Sequence, residues 1–590
     1  MAPQEKECSP SFSSSTLAGM KLAQPAPGEE IVVSGLSACF PDSENIYHFR
    51  DNLFNEVDMV TDDDRRWTFF NKEIPHRTGK LLSLDKFDAA FFGIPYMQAE
   101  AMDPMLHILL EKTYEALVDA GVNPYQLKGK RVGVFIGSCF SESEKNWYFE
   151  KIQTSGNCIT GCARPIFANR ISYWLGVNGP SYTVDSACSS TFYALDHAYW
   201  SIRQGYCESA IVAGTHICIH PFVSLQFSRL GVLSPDGRCK CFDRDANGYA
   251  RSEAICATYL QKAKDAKRVY ATVLYVKTNC DGFKENGITY PSGMVQQKLL
   301  KEFYQECNID PVLLDYVEAH GTGTRVGDPE ELKALDEVFC KGRNKPLPIG
   351  SVKSNMGHSE PVSGLASLVK VVIAMETGLI PPNLHYYNPR ENVESLEKGR
   401  LKVVTSTCPL PGGLVGINSF GFGGANAHVL LKWNDKIKVN GSAPADSLPR
   451  LVIASGRTEE AVDVILKDFE MRPVDVEYVH LIQDLHSQQI HGHFYRGFSL
   501  LTNDSRKIRN IKYCPVERRP VWFVFTGLGS QWPGMGRSLL NIPVFAATIN
   551  KCQEVLRPYG IDLPNIITSD DPRIFDSVIN CFVGVTAYQD

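Results

Sequence analysis

The amino-acid sequence predicts an α/β fold with largely buried sheets. From residue 30 to about residue 433, short apolar runs rich in β-branched residues alternate with stretches of helical periodicity. The clearest strand-like runs are 131–137 (RVGVFIG), 210–214 (AIVAG) and 270–276 (YATVLYV). Continuous apolar runs of this length, separated by helical patterns, are typical of α/β architecture.

Length and composition indicate a multidomain globular protein. The chain has 590 residues, 44% of them hydrophobic, and at about 100–200 residues per domain we expect about three to five domains. The net charge of −6 argues against nucleic acid as a partner and against an anionic membrane surface. No apolar run reaches the roughly 18 residues of a transmembrane helix, and the 18 cysteines have no regular spacing. We therefore expect a cytoplasmic protein with free thiols and no membrane insertion.

Shifts in composition divide the chain into four parts. A stretch of small and polar residues at 436–449 (KIKVNGSAPADSLP) is typical of a linker. The run 521–525 (VWFVF) predicts a new strand that leads into a Gly-rich turn. The predicted parts are a flexible tail at 1–28, the alternating α/β pattern at 29–433, a small mixed region at 434–517, and a last part at 518–590.

The stretch 184–190 (VDSACSS) places Cys188 between a strand and a helix. A strand-like run ends at Val184. Beyond it, the apolar residues share one face of a helix: Phe192, Leu195, Tyr199 and Ile202. Because the positive end of a helix dipole favours the thiolate, Cys188 is a candidate nucleophile. The alternative is a buried structural cysteine.

Two further stretches place histidines at the ends of strands. In 318–324 (EAHGTGT), His320 follows a strand-like run and precedes a Gly-rich turn. In 351–358 (SVKSNMGH), Lys353 and then His358 follow a second such run. A lone histidine is most often a core or surface residue. Two histidines at strand ends, together with a thiol at a third strand end, could converge on a substrate carbonyl.

A fourth segment, 416–428 (GINSFGFGGANAH), is rich in glycine. Such a turn can bring backbone N–H groups close to a developing oxyanion, although a tight turn between strands is the simpler alternative. The segment lacks G-x-G-x-x-G spacing, so a dinucleotide-binding loop is not supported.

These four motifs, in this order, resemble the β-ketoacyl synthase domain of fatty acid and polyketide synthases. Further stretches resemble the animal-type fatty acid synthase: 58–67 (DMVTDDDRRW), 77–81 (RTGKL), 161–170 (GCARPIFANR), 287–293 (GITYPSG) and 379–386 (LIPPNLHY). The resemblance covers about residues 29–433. It implies a thiolase-like fold of two related α/β halves in an αβαβα layering, and a homodimer. A small α/β linker domain is expected to follow.

The resemblance also implies a role for each matching residue. Cys188 matches the acyl-accepting nucleophile, and His320 and His358 match the pair that promotes decarboxylation and stabilises the enolate and oxyanion. Lys353 matches the lysine that organises the second histidine electrostatically. In the implied reaction, Cys188 takes an acyl group from a carrier thioester. The enolate formed when a malonyl-carrier loses CO₂ then attacks that acyl group.

Four other residues match supporting positions of the family. Thr322 and Thr324 match residues that line the phosphopantetheine channel. Phe422 matches a gating phenylalanine whose N–H joins that of Cys188 in an oxyanion hole, and Glu331 matches a supporting acid. The implied partners are an acyl carrier protein domain and acyl and malonyl thioesters carried on phosphopantetheine. We expect no bound cofactor and no metal in this chain.

The last part of the chain, 519–536 (RPVWFVFTGLGSQWPGMG), resembles the opening of a malonyl/acyl transferase domain. The G-H-S-x-G nucleophile motif of that family is absent, so we expect an incomplete and inactive acyltransferase. Residues 357–361 (GHSEP) are not a substitute, because Pro361 replaces the required glycine and the segment belongs to the synthase motif.

Some features depart from the family pattern or imitate other sites. The departures are Met105, His107, Ser186 and Thr191, which we expect to affect packing or acyl-chain preference only. The tripeptide 446–448 (DSL) resembles a phosphopantetheine attachment site but lies in the linker-like stretch. A zinc site is disfavoured for the cluster His480, His486, His491 and His493. The pairs Cys158/Cys162 and Cys239/Cys241 are expected to be structural.

Three alternatives to a fatty acid synthase remain. An animal iterative polyketide synthase shares the same condensing residues, and a catalytically silent, truncated dimerising fragment is possible in principle. A thiolase or HMG-CoA synthase is disfavoured, because those enzymes do not pair the cysteine with both histidine motifs.

Overall fold

The computed structural model describes residues 24–68, 71–146, 148, 156–434, 448–487, 490, 492–502, 508–515 and 520–589. The chain divides into two compact units. The first is Met1–Ala445 with Asp475–Gln488, and the second is Asp446–Val474 with Gln489–Asp590. The domain boundaries after residues 28, 433 and 517 stay predictions. Most of the predicted tail lies outside the described residues.

The first unit contains a large mixed sheet and several two-stranded pairings. Its strands are β1 (Ile31–Cys39), β2 (Val60–Thr61), β3 (Thr78–Gly79), β4 (Val132–Gly137), β5 (Ser181–Val184), β6 (Ser209–His216), β7 (Ala254–Lys262), β8 (Ala271–Cys280), β9 (Leu314–Glu318), β10 (Leu347–Gly350), β11 (Leu379–Ile380), β12 (Leu401–Val403), β13 (Cys408–Pro409), β14 (Leu414–Phe420) and β15 (Ala425–Trp433). The predicted strands at 131–137, 210–214 and 270–276 are confirmed as β4, β6 and most of β8.

The sheet consists of two halves with the same order of pairings. Its full strand order is β12-β10-β9-β14-β15-β8-β1-β7-β6-β4-β5. In β5-β4-β6-β7-β1, two parallel pairings are followed by two antiparallel ones. The series β10-β9-β14-β15-β8 repeats this order. The antiparallel pairing of β1 with β8 joins the halves, in agreement with the two related halves that the resemblance implies.

Helices cover both sides of each half and fill the space between them. They are α1 (Ile46–Phe54), α2 (Tyr96–Glu100), α3 (Pro104–Asp119), α4 (Glu142–Lys145), α5 (Asn157–Cys162), α6 (Arg164–Leu175), α7 (Ser190–Arg203), α8 (Pro221–Arg229), α9 (Gly293–Cys307), α10 (Gly327–Leu335), α11 (Lys353–Met356), α12 (Ser363–Thr377), α13 (Glu394–Glu397) and, past the second unit's first segment, α15 (Val476–His486).

The central layer is formed by α7 and α12, which contact each other. Helix α7 packs on β4 and β6, and α12 packs on β14. Outer helices α3 and α9 cover the other faces of the two halves. The predicted apolar face of α7 is confirmed, since Phe192, Leu195, Tyr199 and Ile202 are all buried. This layering brings the end of β5 in one half close to the ends of β9, β10 and β14 in the other.

The second unit has a three-stranded sheet and a small helical cluster. Strands β16 (Arg450–Gly456), β17 (Tyr495–Leu501) and β18 (Ile508–Tyr513) pair in that order, and α14 (Glu459–Met471) packs against them. Three helices follow, α16 (Pro543–Leu556), α17 (Leu563–Thr568) and α18 (Val578–Gln589). They share a core that includes Ile549, Leu563 and Ile567.

The strand predicted at 521–525 is wrong, because these residues have no regular secondary structure. Their side chains are 69–85% exposed. A strand needs a neighbouring strand to satisfy its backbone groups, and none in the described chain pairs with this run. Among the described residues, no helix is both long enough and apolar enough to cross a membrane.

Candidate active site

Four loops at strand ends bring the predicted residues of the first unit together. Cys188 lies in the short connection from β5 to α7, where Ala187 adopts a left-handed conformation with φ of +54°. His320 follows β9, and His358 follows β10 and α11. Phe422 lies in the turn between β14 and β15. The loop after β5, the edge strand of the first half, therefore lies beside the loops that follow β9, β10 and β14 in the second half.

The sulfur of Cys188 is in direct contact with one of the histidines. Its Sγ lies 3.0 Å from Nε2 of His358. The N–H groups of Phe422 and of Cys188 itself also face the sulfur. The carbonyl oxygen of Cys188 accepts hydrogen bonds from the hydroxyls of Ser363 (3.0 Å) and Ser419 (2.9 Å). These contacts anchor the turn, which belongs to the first half of the fold, to α12 and β14 of the second half.

The hydrogen bonds of His358 indicate where its proton resides. The N–H of Glu360 points at Nδ1 of His358 at 3.3 Å, so Nδ1 accepts and the neutral ring carries its proton on Nε2. Nε2 is then a donor toward the position of Cys188 Sγ. The ring of Tyr249 packs edge-on against this imidazole, with centroids 5.0 Å apart.

His320 is held through its backbone, which leaves its ring directed at the site. Its N–H donates to Oε1 of Glu331 at 2.7 Å, and its carbonyl oxygen accepts from Nζ of Lys353 at 2.7 Å. Its ring lies 5.6 Å from the ring of His358, centroid to centroid. Nδ1 of His320 is buried without a hydrogen-bond partner among the described residues.

Burial controls the protonation states in this site. Burial, reinforced by Lys353, lowers the pKa of both His320 and His358 well below the usual value, so both imidazoles are neutral at pH 7. Burial also lowers the pKa of Lys353. Burial raises the pKa of the Cys188 thiol to about 12, although Lys353 and the two N–H groups lower it. The thiolate expected from the helix dipole is therefore not the resting form, because desolvation outweighs the dipole.

The predicted residues surround one cavity of about 900 Å³. Cys188, His320 and His358 lie on its wall together with Phe422. Other predicted residues on the wall are Thr322, Thr324 and Glu331. Lys353 reaches the site from behind, through the carbonyl of His320.

Several polar residues of the site were missed by the sequence analysis. Asp328 accepts from the N–H groups of Thr322 and Gly323, both at 3.1 Å, and so shapes the turn after His320. Asn418 donates to Glu331 at 2.9 Å. Asp328, in the Gly-Asp-Pro sequence at 327–329, and Asn418, in the segment 416–428, were both visible in the sequence. Their partners, however, are set by the tertiary fold.

The departures from the family pattern lie in packed positions. Met105 is fully buried in α3. His107 stacks on Phe87 with centroids 4.4 Å apart. Ser186 is a neighbour of the Cys188 turn, where its N–H donates to Ser190 Oγ at 2.9 Å. The hydroxyl of Thr191 accepts from the N–H of Leu365.

The other candidate sites from the sequence receive little support. Within the described ranges, no three His, Cys, Asp or Glu side chains could hold a metal ion together. His480 is exposed, His486 is buried, and His491 lies outside the described residues. Residues 446 and 447 of the DSL tripeptide also lie outside them. The four cysteines of the predicted structural pairs are buried and free: Cys158, Cys162, Cys239 and Cys241.

Family models match almost the whole chain. They describe a beta-ketoacyl synthase N-terminal domain over residues 28–266 and its C-terminal domain over 270–387. A ketoacyl-synthetase C-terminal extension matches 389–500, and an acyl transferase domain matches 522–590.

Curated relatives and solved structures agree with these matches. A fatty acid synthase from the goose Anser anser anser is 49% identical over 351 residues, which are 60% of this chain and all of that sequence. A phenolphthiocerol/phthiocerol polyketide synthase of Mycobacterium tuberculosis is 34% identical over 92% of this chain, which spans 31% of that protein. The ketosynthase from module 6 of the bacillaene synthase of Bacillus subtilis 168 superposes with a TM-score of 0.70. It has 31% identity, over 80% of this chain and 82% of that one.

Fold and site together define a condensing enzyme of the thiolase-like class. More particularly, the chain belongs to the β-ketoacyl synthase family of type I fatty acid and polyketide synthases, and it is a transferase that continues into the start of an acyl transferase domain.

Proposed function

We propose that this chain catalyses the decarboxylative condensation of a malonyl thioester with an acyl group held on Cys188. The observation that carries the proposal is the convergence of Cys188 and two neutral histidines on one cavity, with Cys188 Sγ 3.0 Å from His358 Nε2. A thiol, two imidazoles and a pair of backbone N–H groups are what a site needs to store an acyl group and stabilise an enolate.

In the first half-reaction, the sulfur of Cys188 attacks the carbonyl carbon of an acyl thioester. The new S–C bond forms as the bond to the carrier sulfur breaks, and the proton lost by Cys188 leaves with the carrier thiol. The negative oxygen of the tetrahedral intermediate is stabilised by the N–H groups of Cys188 and Phe422, which already face the sulfur. Because the thiol is neutral at rest, its deprotonation is part of the barrier.

In the second half-reaction, a malonyl thioester occupies the space beside His320 and His358. Its C–C bond to the carboxylate breaks, CO₂ leaves, and the electron pair becomes an enolate with its charge on the thioester oxygen. Neutral imidazole N–H groups donate to that oxygen. The enolate carbon then attacks the acyl carbon. The new C–C bond forms as the S–C bond to Cys188 breaks, and the sulfur leaves as a thiolate that takes up one proton from solvent to restore the thiol. Lys353 and Glu331 hold His320 by its carbonyl and its N–H.

The carrier is proposed to be an acyl carrier protein whose phosphopantetheine arm enters past Thr322 and Thr324. Their hydroxyls are 3.1 Å apart on the cavity wall. We favour fatty acid synthesis, supported by the 49% identity to the goose fatty acid synthase. Polyketide synthesis is the alternative, supported by 34% identity over a longer stretch to the mycobacterial protein. A cytoplasmic location remains a prediction from composition.

We also propose that the first unit forms a homodimer through the edge of its sheet. Within the described residues, β5 pairs with β4 alone, so its other edge is free. Large apolar side chains are exposed on this strand and on α6, which packs against it: Tyr182 and Tyr173. Others are exposed on α5, which packs on α6, and on α2, which packs on α5: Ile159, Tyr96 and Met97. An apolar patch beside an open strand edge is typical of an interface. Tyr182→Glu should shift the sedimenting species from dimer to monomer, and an unchanged dimer would contradict this interface.

The condensation assay tests the central proposal. The purified chain is given an acyl-coenzyme A and malonyl-coenzyme A, and the β-ketoacyl product is measured by mass spectrometry. We expect Cys188→Ala to abolish the product, and Cys280→Ala, at an exposed cysteine outside the cavity, to leave it unchanged. Retained condensation by Cys188→Ala would falsify the assignment of the nucleophile. If wild-type protein forms no product, the catalytically silent alternative stands.

A further inference from the structure

A buried charged cluster lies directly behind His358. At its centre is Arg251, whose side chain is only 1% exposed. The groups around the guanidinium are the carboxylates of Glu360 and Glu142, the imidazole of His216 and the hydroxyl of Ser224. None of these five side chains belongs to the residues proposed for the reaction. Burying a guanidinium costs desolvation free energy unless its partners are well placed. A cluster of this kind next to His358 therefore suggests a role in the site.

The strongest contact within the cluster joins Arg251 to Glu360. Nε of Arg251 lies 2.6 Å from Oε1, and Nη2 lies 3.3 Å from Oε2. These are the two parallel contacts of an arginine fork on a carboxylate, which fix orientation as well as charge. Nη1 donates to Ser224 at 2.9 Å. The carboxylate of Glu360 is thereby held in one position.

The backbone of Glu360 is strained and touches His358. Its φ is +46°, in the left-handed region that non-glycine residues rarely adopt. In this conformation its N–H points at Nδ1 of His358, 3.3 Å away. That contact assigns the ring proton to Nε2, the atom that faces Cys188 Sγ. A strained turn persists when its surroundings hold it. The fork on Arg251 makes the shortest contact with the Glu360 side chain, and Nε2 of His216 lies 3.3 Å from Oε2 of the same carboxylate.

The segment that carries Arg251 also grips His358 by its backbone. The N–H of His358 donates to the carbonyl of Ala250 at 2.7 Å, and the N–H of Ser252 donates to the carbonyl of His358 at 2.9 Å. Arg251 therefore lies between the two residues that fix the backbone of the histidine. Its side chain adds a third restraint, which acts through Glu360 on the ring.

We propose that Arg251 is a positioning residue for the condensation, which holds Glu360 in its left-handed turn and so keeps the proton of His358 on the nitrogen that faces the substrate. The proposal rests on the proposed function of His358 as a donor to the enolate oxygen. Without the fork, the turn can relax and the N–H of Glu360 can leave Nδ1. The ring then populates the other tautomer, in which Nε2 accepts and cannot donate.

The test compares Arg251→Lys with wild type in the two half-reactions. Lysine keeps the charge but cannot form the two parallel contacts. Decarboxylation of malonyl-coenzyme A, measured as released CO₂, should fall about 10- to 100-fold, since it needs the Nε2 proton. Acylation of Cys188 by an acyl-coenzyme A should fall less than about threefold, because its oxyanion is held by backbone N–H groups. Arg268→Lys is the matched control, since Arg268 is another buried arginine paired with carboxylates and is not part of the cavity lining.

A second measurement reads the tautomer directly. In protein labelled with ¹⁵N at histidine, the ring nitrogens of His358 are assigned by the signals lost in His358→Gln. In wild type, Nδ1 should have the shift of an unprotonated nitrogen and Nε2 that of a protonated one. In Arg251→Lys both should move toward the average of the two tautomers. Glu360→Gln nearly keeps the shape of the Glu360 side chain but removes its charge, and it should produce the same changes in the His358 nitrogen shifts. This variant tests the positioning role if Arg251→Lys does not fold.

The outcomes separate this inference from the proposed function. If wild type neither decarboxylates malonyl-coenzyme A nor acylates Cys188, the proposed function fails. If wild type does both and the variants keep decarboxylation within twofold, the positioning role fails. Equal loss of both half-reactions with an unchanged tautomer also overturns it, since that pattern means a structural role alone.

Discussion

At Cys188, burial raises the pKa of the thiol to about 12, while Lys353 and two backbone N–H groups lower it. The two histidines that flank the thiol are neutral, because burial lowers their pKa values. The site is thus neutral at rest and only partly exposed to solvent. In such surroundings a few fixed hydrogen-bond donors stabilise a developing oxyanion more strongly than they would in water.

The raised pKa of Cys188 predicts how fast the thiol is alkylated at different pH values. Below its pKa, each unit of pH multiplies the thiolate fraction by about ten. The rate of iodoacetamide modification at position 188 should therefore rise about tenfold per unit between pH 7 and 9. Quantitative mass spectrometry of the Cys188 peptide gives the rate, with the exposed Cys280 of the same sample as the internal control. A plateau below pH 8 would show that the thiolate is already the resting form.

At the scale of the element, α7 carries a half-buried carboxylate that disfavours folding at neutral pH. Burial raises the pKa of Asp196 to about 7, although hydrogen bonding to Trp200 and the charge of Lys277 lower it. The folded protein therefore binds the proton more tightly than the unfolded chain does. This tighter proton binding contributes fully to the stability of the folded protein below about pH 4, the pKa of Asp196 in the unfolded chain. The contribution is lost as the pH rises toward 7, the pKa in the folded protein.

Asp196→Asn should accordingly stabilise the first unit in a pH-dependent way. We expect a gain of about 3 kcal/mol at pH 8, where wild type must ionise the half-buried group, and little gain at pH 4. Urea unfolding at the two pH values measures the difference. The control is Glu208→Gln, since Glu208 is an exposed carboxylate near the end of the same helix. An equal effect of Asp196→Asn at both pH values would contradict the raised pKa.

The contact of β1 with α3 depends on a glycine. A Cβ at Gly35 would lie 2.1 Å from the carbonyl oxygen of Ala116 and 2.8 Å from the Cβ of Ala120. Because the backbone of α3 cannot move aside without disturbing its packing, Gly35→Ala should lower the free energy of unfolding by about 1–3 kcal/mol. Gly156→Ala has open space around its Cβ and should change it by less than about 0.5 kcal/mol. Chemical denaturation measures the free energy of unfolding of both variants. If the two variants are equally stable, β1 and α3 can move apart to accommodate the added methyl group, and the close contact at Gly35 is not required.

At the scale of the whole molecule, the second unit exposes a continuous apolar run. Residues 521–525 are 69–85% exposed, and short uncharged runs of high β-propensity are aggregation-prone when uncovered. The double variant Trp522→Glu and Val524→Glu should therefore reduce light scattering of the concentrated protein several-fold. Val464→Glu with Met471→Glu, at isolated exposed apolar residues of α14, is the matched control and should have little effect. Unchanged scattering in the first variant would mean that this run does not drive association.

Much of the architecture and of the site was predictable from the sequence, for a local reason. Strands such as β4 and β6 are continuous apolar runs, and α7 repeats apolar residues on one face. Cys188 and His320 lie in turns directly after β5 and β9, and His358 follows β10 and the short helix α11. Their positions after strands indicated that they could converge. The run 521–525 has the same local character, yet it is not a strand, because pairing depends on a distant partner.

Short contiguous motifs in the sequence were sufficient to indicate the family, the α/β class and the side chains that we propose to react. The tertiary structure alone decided the protonation of Cys188 and the role of Arg251. Burial depends on what the fold packs around a side chain, and residues of both halves of the sheet surround this thiol, which stays partly exposed to the cavity. Arg251 lies 109 positions from Glu360 along the chain, so no local pattern could reveal that their fork supports the turn after His358.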